Sequence, residues 1–510
     1  MKGKYILAHD LGTTGNKATL YDSGGNLLAS SYKTYETRYF GLNCIEQNPN
    51  DWWKAVCDST QELLVTAKVS PGDVACISFS GHMMGCLPVD KNGNPLRDSI
   101  IWADGRSVKQ AQFLLDKIGD EEGYHITGHR FFSSYSAPKI MWVKENEPEV
   151  FKKAYKFLHT KDYIIHHLTG KFATDYSDAS GMNLFDLNKR EWSEEILQAA
   201  DIPEETLPEP HPSTYVAGEV TETASQATGL KKGTPVVMGG GDGPCAAVGA
   251  GSVKEGSAYS YIGSASWIAL ATKKPLYDPK MRTFTFCHLD PDMFMPAGAT
   301  NNGGVCYQWL RDSICQIEKQ TAESVGIDVY EIMGLKADLV EPGADKLLFL
   351  PYIRGERCPY YNPNARGVFL GLNPNHKKEH FIRAVLEGVA FNLRIILNSF
   401  QGQGAVIDEM RVIGGGARSR LWRQIMANIY NKKILRPSLL QEATSLGAAI
   451  AGGIGVGIFK DFSMARDMVR IVDVDSPQPE VRERYENLYS IFKDAYERLV
   501  PVYERIASVK

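Results

Sequence analysis

No run of apolar residues in this 510-residue chain is long enough to cross a bilayer. The longest weakly apolar stretch, residues 447–459, is rich in glycine and alanine and reads as a buried helix packed closely on a neighbour. After Lys4 only about four apolar residues follow, against the roughly 7–15 of a secretory signal, so none is expected. Charge of one sign is missing as well. With 56 Lys and Arg against 60 Asp and Glu the net charge is −4, which leaves no footprint for nucleic acid or an anionic membrane. The nine cysteines are scattered, with no C-x-x-C pair. An odd, dispersed count predicts reduced thiols and a cytoplasmic setting. The chain also lacks G-x-x-x-x-G-K-[ST] and a complete G-x-G-x-x-G, which argues against P-loop NTPases and Rossmann dinucleotide enzymes.

What remains is ordinary globular composition, 43% hydrophobic and 23% charged. A chain this long exceeds one core and predicts two α/β domains, residues 1–250 and 251–510. Three glycine-rich turns stand out, each after a run of strand-forming residues. They are Asp10-Leu11-Gly12-Thr13-Thr14-Gly15-Asn16-Lys17, Gly239-Gly240-Gly241-Asp242-Gly243 and Gly414-Gly415-Gly416-Ala417. A strand ending in glycines and hydroxyls exposes backbone N–H groups, which suits a polyphosphate. Asp10 and Asp242 add carboxylates suited to a magnesium ion or a proton in transfer.

The coarse pattern repeats. Runs at residues 5–9, 17–21 and 27–32 predict a β-meander, followed by a helix over 50–68 and a strand over 74–80. Near Gly249 the pattern restarts: 258–262 and 267–271 predict a hairpin around Gly263-Ser264-Ala265-Ser266. A helix from Glu379 to Phe400, a strand, a glycine turn and a helix over 421–430 follow. This is a duplication of architecture without residue identity. From Glu480 the spacing predicts an amphipathic helix with Val481, Tyr485, Leu488, Ile491, Phe492 and Leu499 on its apolar face.

Each motif also has a plainer meaning. Gly-Thr-Thr alone is a tight turn, but an adjoining carboxylate, two hydroxyls and Lys17 favour a phosphate hairpin. Asp242 alone could be an N-cap before a helix at 245–248. Trp102-Ala103-Asp104-Gly105-Arg106 reads in isolation as a surface Asp–Arg pair, though an acid beside an aromatic also suits a sugar. Met83-Met84 is by default core packing.

Taken together, the motifs resemble the FGGY carbohydrate kinases of the sugar kinase, actin and heat-shock ATPase superfamily, their xylulokinase branch above all. The resemblance spans nearly the whole chain. It rests on residues 10–17, 80–85, 102–106, 137–139, 239–243, 349–357, 364–367, 383–391, 414–422 and 442–449.

It implies two ribonuclease-H-like domains around a central cleft, with sugar against the first and ATP against the second. Asp242 would be the catalytic base and would meet both substrate and metal. Asp10 would be a magnesium-associated acid, with Thr13, Thr14 and Lys17 near the transferred phosphate. Gly263, Ser264 and Gly304 would face the phosphates, and Gly415, Gly416 and Ala417 would approach the adenine. His82, Met83, Met84 and Asp104 would lie on the sugar side.

The expected reaction is ATP-dependent phosphorylation of a ketopentose, D-xylulose first, at its terminal hydroxyl; a homodimer is compatible with the resemblance. Two departures leave gluconate, ribulose and polyols open. This chain reads His82-Met83-Met84-Gly85 where xylulokinases usually have Gln-Met-His-Gly, and Ala299–Gly304 is closer to gluconate-type relatives. The rival class is a non-catalytic, actin-like nucleotide-binding protein.

Overall fold

The computed structural model describes residues 4–41 and 43–509. Two sheets carry it, built to one plan. In the first, Tyr5–Leu11, Gly15–Asp22 and Leu27–Thr34 form an antiparallel meander. Val74–Gly81 joins parallel to the first strand, and Pro235–Gly241 joins parallel to Val74–Gly81. The second sheet repeats this with Ala258–Ile262, Ser266–Leu270 and Phe294–Thr300 as the meander. Glu409–Ile413 and Lys433–Pro437 are the two parallel additions. Both sheets therefore run third–second–first–fourth–fifth, and the duplication expected from sequence lies in the topology.

The runs Ile6-Leu7-Ala8 and Val236-Val237-Met238 are buried on both faces, as strands covered by helices on each side must be. One face of the first sheet packs on the helix Pro49–Thr66 through Trp52, Val56 and Leu63. Its other face receives the helix Ala443–Gly455, which comes from the far end of the chain. The helix expected over 447–459 thus starts earlier, at Ala443, and crosses back onto the N-terminal sheet. It meets the helix Asp242–Gly249 almost backbone to backbone. A Cβ on Gly447 would lie 2.0 Å from the Cys245 carbonyl, and one on Gly249 would lie 1.7 Å from that of Ala443. Only glycine permits that approach.

The segment 277–288 ties the two halves together. The Tyr124 hydroxyl donates to the Thr283 carbonyl at 2.8 Å, and the Thr285 N–H donates to the Gly128 carbonyl at 2.9 Å.

The last helix, Arg482–Ser508, buries Tyr485, Leu488, Tyr489, Phe492, Ala495, Tyr496 and Tyr503. Ile491, expected on that face, is 49% exposed. Residues 485, 488, 489, 492, 495, 496 and 503 follow the helical i, i+3, i+4 stripe, and 491 falls off it. All nine cysteines are free thiols, eight of them buried. No helix among the described residues is long and apolar enough to cross a membrane.

Candidate active site

Three adjacent strand tips bring the two expected acids to one place. Asp10 pairs in register with Lys17 on one side and Ser80 on the other, and Ser80 is opposite Gly240. Asp242 follows two residues later, at the first position of its helix. Two strand spacings set the acids on the order of 10 Å apart along the sheet. The Asp10 carboxylate accepts hydrogen bonds from Ser80 Oγ at 2.9 Å and Thr444 Oγ1 at 2.5 Å. Burial still holds its pKa above the ordinary carboxylate value, against the pull of those hydroxyls and of Lys17. Asp242 accepts from the Gly243 N–H at 2.7 Å. Desolvation first, then the charge of Asp10, pushes its carboxyl up to about 7. A group with that pKa near neutral pH suits general-base work.

Sequence reasoning missed the aromatic side of this site. Tyr261 and Trp267 face each other across the hairpin, their rings stacked at 4.0 Å. Burial and the nearby charges of Asp10 and Asp242 push the Tyr261 hydroxyl up. Trp267 Nε1 donates to the Tyr259 hydroxyl, which donates to the Gly243 carbonyl, each at 2.9 Å. That relay pins the turn carrying Asp242. Alternation along Ala258–Ile262 was the signal that could have put Tyr259 and Tyr261 on one face of the strand.

A cleft of about 1130 Å³ opens beside these residues, lined by Tyr261, Gly263, Ser264, Gly304, Gly415 and Gly416. Tyr330, Leu335, Arg418, Leu421, Trp422 and Gln478 extend it, and none of these six was singled out from sequence as a site residue. The hairpin at 263–264 sits on the start of the helix Gly304–Ser313, the Gly304 N–H donating to the Gly263 carbonyl at 2.6 Å. A Cβ on Gly303 would lie 1.9 Å from Ser266 Oγ, and one on Gly304 would lie 2.7 Å from the Gly263 carbonyl. The buried Ser266 hydroxyl has no hydrogen-bond partner among the described residues. Glycine turns, an orphan hydroxyl and a helix N-terminus beside a large cleft fit a nucleoside triphosphate. The Asp10 and Asp242 carboxylates are the hard oxygen donors that would hold its magnesium.

Several expected site residues are occupied elsewhere. Asp104 is buried, and its oxygens accept from the Ile45 N–H at 2.5 Å, the Arg106 N–H at 2.9 Å and the Arg106 guanidinium at 2.7–3.0 Å. Arg106 also pairs with Glu46 at 2.8 Å and lies over the rings of Phe40 and Trp142. The Asp–Arg pair of the plain reading forms, but buried rather than on the surface, and it offers no open acceptor. Lys17 Nζ donates to the Gln441 carbonyl at 3.1 Å and pairs with Glu442 at 3.5 Å, so it bridges the halves. Ala417 is fully buried, while its neighbours Gly415 and Gly416 line the cleft.

His82 is buried against Trp52 and hydrogen-bonds Thr160 at 2.8 Å, and desolvation lowers its pKa to about 3. Met83 is buried behind Gly241, and Met84 is half-buried in the left-handed region at φ 63°. The Met84 carbonyl accepts from Lys139 Nζ at 2.7 Å. Thr14 is exposed and shares a hydrogen bond of 2.9 Å with the Tyr32 hydroxyl, while Thr13 Oγ1 accepts from Trp102 Nε1 at 3.0 Å.

Duplicated sheets of this order, a cleft beside glycine turns and two acids at neighbouring strand tips define the actin-like, ribonuclease-H-like ATPase class. Within it, family models place the chain. The N-terminal domain of the FGGY family of carbohydrate kinases matches residues 5–249, and the C-terminal domain matches residues 258–456. The chain belongs to that family and is a sugar kinase, whose members use ATP. It is 33% identical over 505 residues to the gluconokinase of Bacillus licheniformis, covering 99% of this chain and 98% of that one. To the xylulose kinase of Bacillus subtilis (strain 168) it is 31% identical over 494 residues, covering 97% of each. The crystal structure of the xylulose kinase from Lactobacillus acidophilus superposes with a TM-score of 0.91 at 27% identity, covering 99% and 100%.

Proposed function

We propose that the protein transfers the terminal phosphoryl group of ATP to the terminal hydroxyl of an open-chain ketopentose, D-xylulose first, giving D-xylulose 5-phosphate. The observation that carries the transfer is Asp242, a carboxyl held near 7 at a strand tip beside Asp10. Asp242 accepts the proton of the attacking hydroxyl. The N–H groups around Gly263, Ser264 and Gly304 hold phosphate oxygens, and Asp10 with Asp242 would hold Mg²⁺, which neutralises phosphate charge. The stacked rings of Tyr261 and Trp267 supply an apolar surface beside the two acids. Little covalent help is needed, because positioning and charge neutralisation carry phosphoryl transfer.

A neutral sugar agrees with Asp104 and Arg106 neutralising each other. One observation favours a second reading, an aldonate such as gluconate. The Arg357 guanidinium lies over Phe284 at 4.9 Å and reaches the Tyr135 hydroxyl at 3.4 Å. Among the described residues no carboxylate pairs with that guanidinium, so it could meet a substrate's carboxylate. ADP release measured over D-xylulose, L-xylulose, D-ribulose, L-ribulose, gluconate, glycerol and erythritol decides between them. A kcat/KM for gluconate or a polyol tenfold above every ketopentose, about 1.4 kcal/mol, overturns the pentulose. In that case Arg357→Met removes the preference for gluconate. No sugar-dependent ADP release at all returns the chain to the nucleotide-binding class.

A further inference from the structure

Gly239-Gly240-Gly241 is the most permissive backbone a chain can place before a working carboxylate, and no side chain of its own holds it. The strand slips register between Val237 and Gly240 against Val74–Gly81. Gly239 sits at φ 64°, where a Cβ would lie 1.8 Å from the Phe79 carbonyl. A bulge of this kind redirects the residue that follows, and something must then fix it.

The fixing group comes from a part of the fold that the catalytic reading leaves unused. The Gly241 N–H, one residue before Asp242, donates to Ser177 Oγ at 3.0 Å. Ser177 Oγ donates onward to Asp175 Oδ2 at 2.5 Å, and the Ser177 N–H donates to the same oxygen at 2.8 Å. The other Asp175 oxygen pairs with Lys161 Nζ at 2.9 Å. Ser177, Asp175 and Lys161 are fully buried. A Cβ on Gly240 would lie 2.7 Å from Ser177 Oγ, so the hydroxyl is pressed against this strand. His159, Asp162 and Asp178 lie close enough to hold a metal ion. The Lys161 ammonium already occupies that cluster, at 2.7 Å from Asp162 and 3.1 Å from Asp178.

We propose that Ser177, braced by Asp175 and Lys161, is a positioning residue that fixes the Gly241–Asp242 backbone and so aims the Asp242 carboxylate at the sugar hydroxyl. A hydroxyl bonded to a buried carboxylate has one orientation available, and its lone pairs turn toward the Gly241 N–H. Without it that N–H is orphaned, and the glycines before Asp242 can rotate, since the Tyr259 hydroxyl holds the turn only at the Gly243 carbonyl. Misplacement of a reacting group by about 1 Å costs on the order of 100-fold in rate. The inference rests on the kinase reading above, with Asp242 as base.

The test is a double-mutant cycle on the full chain, comparing Ser177→Ala, Asp242→Asn and the double variant. Steady-state kinetics and ATP binding by calorimetry are the readouts. Ser177→Ala is expected to lower kcat by about 10–100-fold, with both KM values and the ATP Kd within about threefold of wild type. Because Ser177 acts through Asp242, adding Ser177→Ala to Asp242→Asn costs no further rate. Should Ser177→Ala not fold, Ser177→Cys carries the same cycle, as its sulfur is a weak acceptor of similar size. An unchanged kcat, additive losses in the cycle, or a loss confined to KM overturns the positioning role. If Asp242→Asn itself keeps wild-type turnover, the base assignment fails and this inference falls with it. A normal Ser177→Ala beside a crippled Asp242→Asn removes only the positioning role.

Discussion

Thr444 Oγ1 donates a hydrogen bond of 2.5 Å to Asp10 Oδ2, joining residues 434 positions apart. The donor belongs to the helix that returns from the C-terminal half onto the first sheet, so the phosphate-side acid is completed by chain from both halves. Beside it, Lys17 reaches the Gln441 carbonyl and Glu442. The two halves are therefore joined at Asp10 by side chains of residues 10, 17, 442 and 444.

Lys17 in that joint is spoken for. Lys17→Met is expected to leave the KM for ATP within about threefold of wild type. The stability loss is expected to be small, about 0.2–1 kcal/mol, because the pair is partly solvated. ATP titration of the variant checks this. A tenfold rise in KM would return Lys17 to the phosphates, where the sequence pattern alone places it.

Asp242→Asn keeps shape and most hydrogen bonding but cannot take a proton. Its kcat is expected to fall by ~10²–10⁴, with the KM for sugar and ATP little changed. Near wild-type turnover would remove Asp242 from the mechanism.

The same carboxyl makes a signed pH prediction. Held up to about 7 in the fold and near 4 in the unfolded chain, it keeps its proton more tightly in the fold between those values. Its contribution therefore destabilises the fold progressively as pH rises from about 4 to 7, by up to about 1.4 kcal/mol for each pH unit in that window. Asp242→Asn is expected to melt close to wild type at pH 4.5 and higher than wild type at pH 8. Activity runs the opposite way: kcat/KM falls tenfold per pH unit once the base is protonated below about 7. Equal melting differences at both pH values would show that the raised pKa is absent.

Much of this was legible because strands and glycine turns are local. The runs at 5–8, 235–238 and 410–413 read correctly as strands leading into glycine turns, and both acids at their tips were visible. Partnerships were not. The fate of Asp104 depends on Arg106 and Glu46 closing around it, and that of Lys17 on a carboxylate 425 residues away. Ser177 carries no signal of its own. Its meaning comes from contact with Gly241, 64 residues on. Ile491 misled because an apolar residue just off a helical stripe looks like a member of it.

The nucleotide side gives the sharpest correction, and it separates two neighbouring residues. Sequence reading put a close approach of adenine at Ala417 as well as at Gly415 and Gly416. Ala417 is fully buried in the C-terminal core, so a large side chain there overpacks the fold, typically at about 1–3 kcal/mol. Gly415 is different. A Cβ there meets nothing within 4 Å, its φ lies outside the left-handed region, and it lines the cleft. Gly415→Leu is therefore expected to fold with a Tm near wild type and to raise the KM for ATP by tenfold or more, with kcat at saturating ATP and the KM for sugar preserved. Ala417→Leu is expected to lower Tm first and to affect both substrates together. Thermal melts and ATP titrations of the two variants side by side check it. A Gly415→Leu enzyme with an unchanged KM for ATP and a raised KM for sugar would reverse the orientation of the cleft.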